Sequence, residues 1–126
     1  MTKPARYTKM PTLEKLQHII AWAEEKKGKD LLALDLSTCH SLAEATCIVT
    51  ATSARHAQGL AEFISDQCLV NKFEQLRMEG FQNALWILLD LNDIMVHIMQ
   101  PEARAEYNLD TLWPKAITIA DQREGV

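Results

Sequence analysis

The chain has 126 residues, of which 48% are hydrophobic and 24% are charged; this is the length of one domain and excludes a disordered or membrane-spanning chain. Its three cysteines are odd in number and form no CxxC motif, so the sequence favours reduced thiols over a disulfide framework or a zinc site. The basic opening is not followed by the apolar segment of a secretory signal, and we therefore expect a cytoplasmic protein.

The formal net charge of -4 is unevenly distributed along the chain. Residues 1–30 contain seven bases and four acids, whereas residues 31–126 contain six bases and thirteen acids. An acidic surface repels the phosphate backbone of nucleic acids and accelerates encounter with a basic partner. The distribution is consistent both with a basic protein partner and with ordinary solubilising charge, and charge alone does not separate the two.

The first half of the chain predicts a helix, two strands and a second helix. A helix with Thr12 as its N-cap places apolar residues at helical spacing and stops at Gly28. Two short runs, 31–36 and 46–52, are rich in aliphatic or β-branched residues and predict strands. Ser53 can cap the second helix, whose apolar stripe consists of Ala57, Leu60, Ala61, Ile64 and Cys68.

The second half predicts three strands and a last short helix. A weak strand signal at 75–79 precedes two strong ones at 85–90 and 93–99, and Pro101 starts the helix. This order of elements predicts a single α/β domain with a mixed β-sheet of about five strands and flanking helices. We expect the domain to span 12–115, between a basic N-terminal tail at 1–11 and a C-terminal tail at 116–126.

The two strong strands are expected to form a hairpin with Leu91 and Asn92 as a two-residue turn, which pairs Trp86 with His97. Because side chains alternate along a strand, one face of the hairpin is then entirely aliphatic. We expect this face to pack against the helices as core. It consists of Leu85, Ile87, Leu89, Ile94, Val96 and Ile98.

The opposite face of the hairpin has the composition of a protein-binding surface. Interfaces favour aromatic and methionine anchors, while charges fix the register of the partner. The alternative is that the C-terminal segment with Tyr107 and Trp113 covers this face and leaves only the hairpin tip exposed. The face carries Trp86, Leu88, Met95 and His97, with Asp90 and Asp93 at the tip.

The sequence contains no convincing catalytic or metal-binding pattern. Asp90 and Asp93 could hold a cation or divide acid and base roles, but Asp is a common turn residue and no third carboxylate lies nearby. The segment 52–56 opens a helix whose N-terminus could bind an anion, yet it lacks a glycine and a Walker lysine. We therefore expect no cofactor, no metal and no catalytic residue.

Several short segments match those of a known family in both order and spacing. They are 51–56, 79–80, 86–90 followed by Asp93 and His97, and Pro101, Glu102, Arg104, Tyr107, Asn108 and Trp113. No single segment is specific, but their combination is. Over about residues 12–115 the chain resembles the ribosomal silencing factor family, also called Iojap-like.

The resemblance implies an α/β domain related in topology to nucleotidyltransferases but without their catalytic residues. It also implies binding to the large ribosomal subunit, through its fourteenth ribosomal protein, on the inter-subunit face. The implied mechanism is a steric block of joining with the small subunit, which represses translation without enzymatic activity. The resemblance further implies a homodimer when free. From the acidic charge and the short apolar stretches we expect no direct nucleic-acid readout and no membrane contact.

We assign the partner-binding surface to the outer face of the hairpin and the start of the last helix. Two other functions are considered, a nucleotidyltransferase-like enzyme and an adaptor for another basic protein. The enzyme would need a Gly-Ser turn and an Asp-x-Asp pair, and the sequence has neither. The assigned residues are Trp86, Leu88, Asp90, Asp93, Met95, His97, Glu102 and Tyr107.

Overall fold

The computed structural model describes residues 6–124 and contains three α-helices, a short 3-10 helix and six strands within that range. The helices are α1 (Thr12–Glu25), α2 (Ala54–Val70) and α3 (Pro101–Tyr107), and the 3-10 helix is Leu109–Thr111. The strands are β1 (Lys29–Asp35), β2 (Ala45–Thr50), β3 (Arg77–Glu79), β4 (Trp86–Asp90), β5 (Ile94–Met99) and β6 (Ile117–Asp121). Within residues 6–124, no helix combines the length and hydropathy needed to cross a bilayer.

The strands form one mixed sheet in the order β3-β4-β5-β2-β1-β6. Strands β2 and β5 are parallel, and the other neighbours are antiparallel. The predicted α/β domain with a mixed sheet is confirmed, but the sheet has six strands rather than about five. The sixth strand comes from residues 116–126, which the sequence analysis assigned to a tail. Its run of three β-branched residues, Ile117, Thr118 and Ile119, is the strand signal that was overlooked.

The predicted N-terminal tail lies partly outside the described residues, since 1–5 are not among them. Its remainder is attached to the domain. The backbone N–H of Thr8 donates to the carbonyl of Lys72 at 2.8 Å, and Met10 packs against the core. Thr12 is not the N-cap of α1, because Pro11 occupies that position without a side-chain cap.

Helices α1 and α2 cover one face of the sheet and enclose the main core. The apolar stripe predicted for α2 is buried at all five positions. Ser53 caps the helix as predicted, because its Oγ accepts from the backbone N–H of His56 at 3.1 Å. In α1, Leu13 was the first apolar residue at helical spacing, but it is 40% exposed, so the buried face of α1 begins at Leu16.

His56 ties the two helices together at the end of the sheet where α2 begins. Its Nδ1 accepts from the backbone N–H of Thr52 at 3.0 Å, and its Nε2 lies 2.9 Å from the carbonyl of Lys26 at the end of α1. A neutral imidazole that accepts at Nδ1 carries its proton at Nε2, where it donates to this carbonyl. His56 therefore satisfies an orphan carbonyl of the helix end, which gives the 51–56 segment a structural role.

The other face of the sheet carries a second, smaller apolar cluster. Leu32, Leu34, Ile48 and Met99 are buried beneath α3 and the chain that follows it, where Trp113 packs against them. The alternative considered from the sequence was that the C-terminal segment covers the hairpin face, and on the hairpin this cover reaches Met99 of β5, which is 0% exposed. The cover stops at β4, and the surface there is left partly open.

Gly80 and Gly59 provide a matched pair of substitutions, which tests whether the backbone conformation at Gly80 requires a glycine. Gly80 has φ +83°, and a Cβ at this position would lie 2.1 Å from the carbonyl oxygen of Trp86. Gly59 lies within α2, where an added Cβ would meet nothing within 4 Å. We expect Gly80→Ala to lower the free energy of unfolding by about 1 to 3 kcal/mol or more, and Gly59→Ala to raise it by about 0.5 to 1 kcal/mol.

Urea denaturation of both glycine variants measures these changes. Equal stabilities of Gly80→Ala and wild type would show that the turn before β4 is not constrained as described.

Candidate protein-binding surface

The β4–β5 hairpin has a longer turn than the sequence analysis expected. Trp86 pairs with Met99, Leu88 with His97, and Asp90 with Met95, so the register differs by two residues from the predicted pairing of Trp86 with His97. Asn92 adopts a left-handed conformation with φ 77°, and its N–H donates to Oδ1 of Asp90 at 2.9 Å. A shift of two residues preserves the face on which each side chain lies.

The aliphatic face of the hairpin is confirmed as core except at its first residue. The five residues Ile87, Leu89, Ile94, Val96 and Ile98 are each 0% exposed. Leu85 is 51% exposed, so its assignment to the core was wrong. Strand β4 begins only at Trp86, and the carbonyl of Leu85 accepts from the N–H of Gln100 next to α3.

On the opposite face, Trp86 lies between an exposed tyrosine and a buried histidine. Its ring centroid is 4.8 Å from that of Tyr107 and 5.9 Å from that of His97. The indole Nε1–H donates to Nδ1 of His97 at 3.1 Å. Trp86 is half-buried, and Tyr107 is 54% exposed. The two rings form an aromatic pair at the surface, of the kind that supplies anchors in interfaces.

A groove of about 350 Å³ runs beside this aromatic pair, between the 80–85 segment and α3. Glu102 and Glu106 line it from α3, four residues apart and both exposed. Leu85 lines it from the other side. We call this region the aromatic–acidic groove, and it consists of Gly80, Asn83, Leu85, Trp86, Glu102, Ala103, Glu106 and Tyr107.

Sequence reasoning missed Leu85 and Glu106 as members of this surface. The spacing of Glu106 from Glu102 was the available signal, because residues four apart share a helix face. Leu85 gave no such signal, since alternation placed it in the core.

Leu88 and Met95 extend the exposed surface along the hairpin. Both side chains are half-buried, and they lie on the same face as Trp86 because they alternate with the buried residues. His97, which was assigned to the contact surface, is only 9% exposed and therefore lies beneath that surface. Burial lowers the pKa of His97 from 6.5 to about 4, so its imidazole is neutral at pH 7.

Asp90 and Asp93 do not form the exposed acidic tip that the sequence analysis expected. Asp90 is 5% exposed, and its Oδ2 lies 3.5 Å from a guanidinium nitrogen of Arg77. Oδ2 of Asp93 accepts from the hydroxyl of Thr12 at 2.7 Å and lies 2.7 Å from Nζ of Lys15. Asp90 thus joins the hairpin to β3, and Asp93 joins it to α1. Asp90 is four residues from Trp86, about 13 Å along the strand.

The described residues offer little reactive chemistry elsewhere. Burial raises the pKa of the Cys47 and Cys68 thiols to about 12, so both stay protonated near neutral pH. In the described part of the chain, no three His, Cys, Asp or Glu side chains converge in a way that could hold a metal ion.

Comparison with known proteins identifies the family. The model of the family described as "Ribosomal silencing factor during starvation" matches residues 9–125. This chain belongs to the ribosomal silencing factor family. The ribosomal silencing factor of Bacillus subtilis is 36% identical over 96 residues, covering 76% of this chain and 81% of that protein. The resemblance deduced from the sequence is confirmed, and the match extends beyond 12–115 at both ends.

Solved structures and a more distant relative agree with this fold and family. A crystal structure of a Chromobacterium violaceum protein matches with a TM-score of 0.81 and 28% identity, covering 91% of this chain and 98% of that one. A mouse protein named "Mitochondrial assembly of ribosomal large subunit protein 1" is 21% identical over 103 residues, covering 75% of this chain and 43% of its own length. The role of the family is therefore connected with the ribosome.

The buried ion pair at the hairpin tip gives a stability prediction. Replacing Asp93 by Asn leaves Lys15, whose side chain is 11% exposed, without its counter-charge. We expect Asp93→Asn to lower the free energy of unfolding by roughly 3 kcal/mol, whereas Glu102→Gln on the surface of α3 changes it by less than about 0.5 kcal/mol. Thermal and urea denaturation of the two variants measure both changes. Equal stabilities would mean that Asp93 is an exposed tip residue after all.

Proposed function

We propose that this protein binds the large ribosomal subunit through its fourteenth ribosomal protein, at the inter-subunit face, and sterically blocks joining with the small subunit. Translation is repressed because the blocked subunit cannot enter a complete ribosome. The membership of the ribosomal silencing factor family supports this role, as does the name of the mouse relative, which refers to the ribosomal large subunit. The protein acts in the cytoplasm, where the ribosomes are.

The observation that carries the proposal is the aromatic–acidic groove. Trp86 and Tyr107 offer a pair of aromatic rings in contact, inclined at 47°, and Glu102 and Glu106 place two exposed carboxylates beside them. Aromatic anchors flanked by charge are characteristic of binding hot spots. A basic ribosomal protein complements this surface, since arginine can pair with a carboxylate while its guanidinium packs on an aromatic ring.

Of the residues assigned to the surface from the sequence, five contact the partner under this proposal and the two aspartates do not. Trp86 and Tyr107 with Glu102 make the central contact, and Leu88 and Met95 extend it along the hairpin. Asp90 and Asp93 join the hairpin to β3 and α1 rather than meeting the partner, because their carboxylates are engaged by Arg77 and Lys15.

The action is steric, and the protein is not an enzyme. A factor that covers part of the inter-subunit face blocks joining if it binds tightly and occupies the space that the small subunit would fill. The homodimer implied by the family resemblance stays a prediction, which sedimentation equilibrium of the free protein checks.

Co-sedimentation in a sucrose gradient tests the proposed binding. Purified protein is mixed with large subunits, with small subunits or with joined ribosomes, and its position in the gradient is followed by immunoblotting. We expect it to travel with free large subunits only. Migration with small subunits, or none with either subunit, would contradict the proposal.

Charge reversal on α3 tests the groove. We expect Glu102→Lys combined with Glu106→Lys to stay folded, because exposed charges contribute little to stability, and to weaken association with large subunits at least tenfold through like-charge repulsion. The loss should be largest at low salt, where screening is weakest.

The matched control for this reversal is Glu62→Lys combined with Asp66→Lys. These two residues are also exposed and four apart, but they lie on α2, on the opposite side of the sheet. The control makes the same change in net charge, so it should bind large subunits nearly as wild type does. Equal losses for both double variants would show that net charge, and not the groove, governs association.

A further inference from the structure

The hydrogen bond between Trp86 and His97 has a fixed direction. An indole nitrogen can only donate, so Nδ1 of His97 must be the acceptor of the 3.1 Å bond from Trp86. A neutral imidazole has one proton, which therefore lies on Nε2. The bond exists only in this tautomer, and protonation of Nδ1 would replace the acceptor with a second donor.

The surroundings of His97 favour the neutral form. Leu88 on β4 and Ile48 on β2 are its partners across the sheet, and both are apolar. Burial is the cause of the lowered pKa of about 4. A histidine with this environment stays an acceptor throughout the neutral pH range.

The charged groups on the elements around His97 are engaged elsewhere or exposed. Asp90 on β4 faces Arg77 of β3 at 3.5 Å. On α3, Arg104 pairs with Asp110 at 2.7 Å, while the carboxylates of Glu102 and Glu106 are exposed.

We propose that His97 is a positioning residue of the docking surface, whose Nδ1 holds the indole of Trp86 against Tyr107 in the orientation that the ribosomal partner meets. This inference rests on the proposed function, and it gives His97 a different role from the contact residue that the sequence analysis assigned. His97 itself lies beneath the surface, with 9% of its area exposed. It acts on the partner only through Trp86.

The apolar cluster beneath α3 contacts Trp86 but does not enclose it. Its side chain is half-buried and borders the open groove. The bond to His97 on one side and the ring of Tyr107 on the other fix its orientation. A side chain ordered before binding loses less conformational entropy when the partner arrives.

The variants His97→Asn and His97→Leu separate the acceptor from the shape of the residue. Asn has the same branched outline as Leu, but its Oδ1 lies close to the position of the histidine Nδ1 and can accept the indole N–H. Leu fills the same space without an acceptor. Neither side chain titrates, so both also remove the pH dependence that His97 contributes.

Two measurements are made on each variant. The indole N–H resonance of Trp86, one of three tryptophans in the chain, is followed in the free protein by nitrogen–proton NMR, and affinity for purified large subunits is measured by co-sedimentation. We expect His97→Asn to keep a solvent-protected indole N–H and an affinity within about threefold of wild type. We expect His97→Leu to stay folded, to lose that protection, and to bind about three- to tenfold more weakly, the value of one hydrogen bond.

The effect of pH on His97 is measured on the free protein, without ribosomal subunits. Because the pKa of His97 is lowered in the folded state, the unfolded chain binds the proton more readily between about pH 6.5 and pH 4. The melting temperature of wild type should therefore fall relative to that of His97→Asn as the pH falls through this window. Protonation toward pH 4 should also shift the Trp86 indole resonance of wild type, and not that of His97→Asn.

The outcomes distinguish this inference from the proposed function. Equal affinities of His97→Asn and His97→Leu, with wild type bound to large subunits, would overturn the positioning role and leave the proposed function intact. An indole N–H of His97→Leu that is as well protected from solvent as that of wild type would also overturn it. Wild-type protein that fails to bind large subunits would overturn both.

Discussion

The alternation of side chains along β4 and β5 is the constraint on which the surface depends. Ile87, Leu89 and Val96 are fully buried in the core beneath α2, and their burial forces Trp86 and Leu88 to the opposite face. The packing of the core therefore determines which side chains face the partner. A substitution that shifted the register of β4 by one residue would place the indole of Trp86 in the core and the aliphatic side chains in water.

The hairpin illustrates which features a sequence predicts and which it does not. Its two faces were predictable, because alternation is local and a register change of two residues leaves it intact. The conformation of the turn was not predictable, since it depends on the hydrogen bond from the backbone N–H of Asn92 to the side chain of Asp90. The burial of Asp93 was also unpredictable, because its partner Lys15 lies far away in sequence on α1.

The candidate surface was also predicted only in part, because some of its features depend on contacts that the sequence pattern does not show. Trp86, Glu102 and Tyr107 were selected from the sequence and lie together around one groove. The role of His97 depends on which ring nitrogen meets the indole, and a residue pattern carries no information on that. Leu85 was misassigned because strand periodicity does not show where a strand begins; it lies just before β4, and its side chain is 51% exposed.

Subunit joining tests the central claim most directly. Purified small and large subunits are mixed, and light scattering follows the formation of complete ribosomes while the protein is added before or after mixing. The account predicts that joining decreases as the protein saturates the large subunits, and only when the protein is added first. Unchanged joining at a concentration where the protein is shown to occupy the large subunits would contradict the steric mechanism.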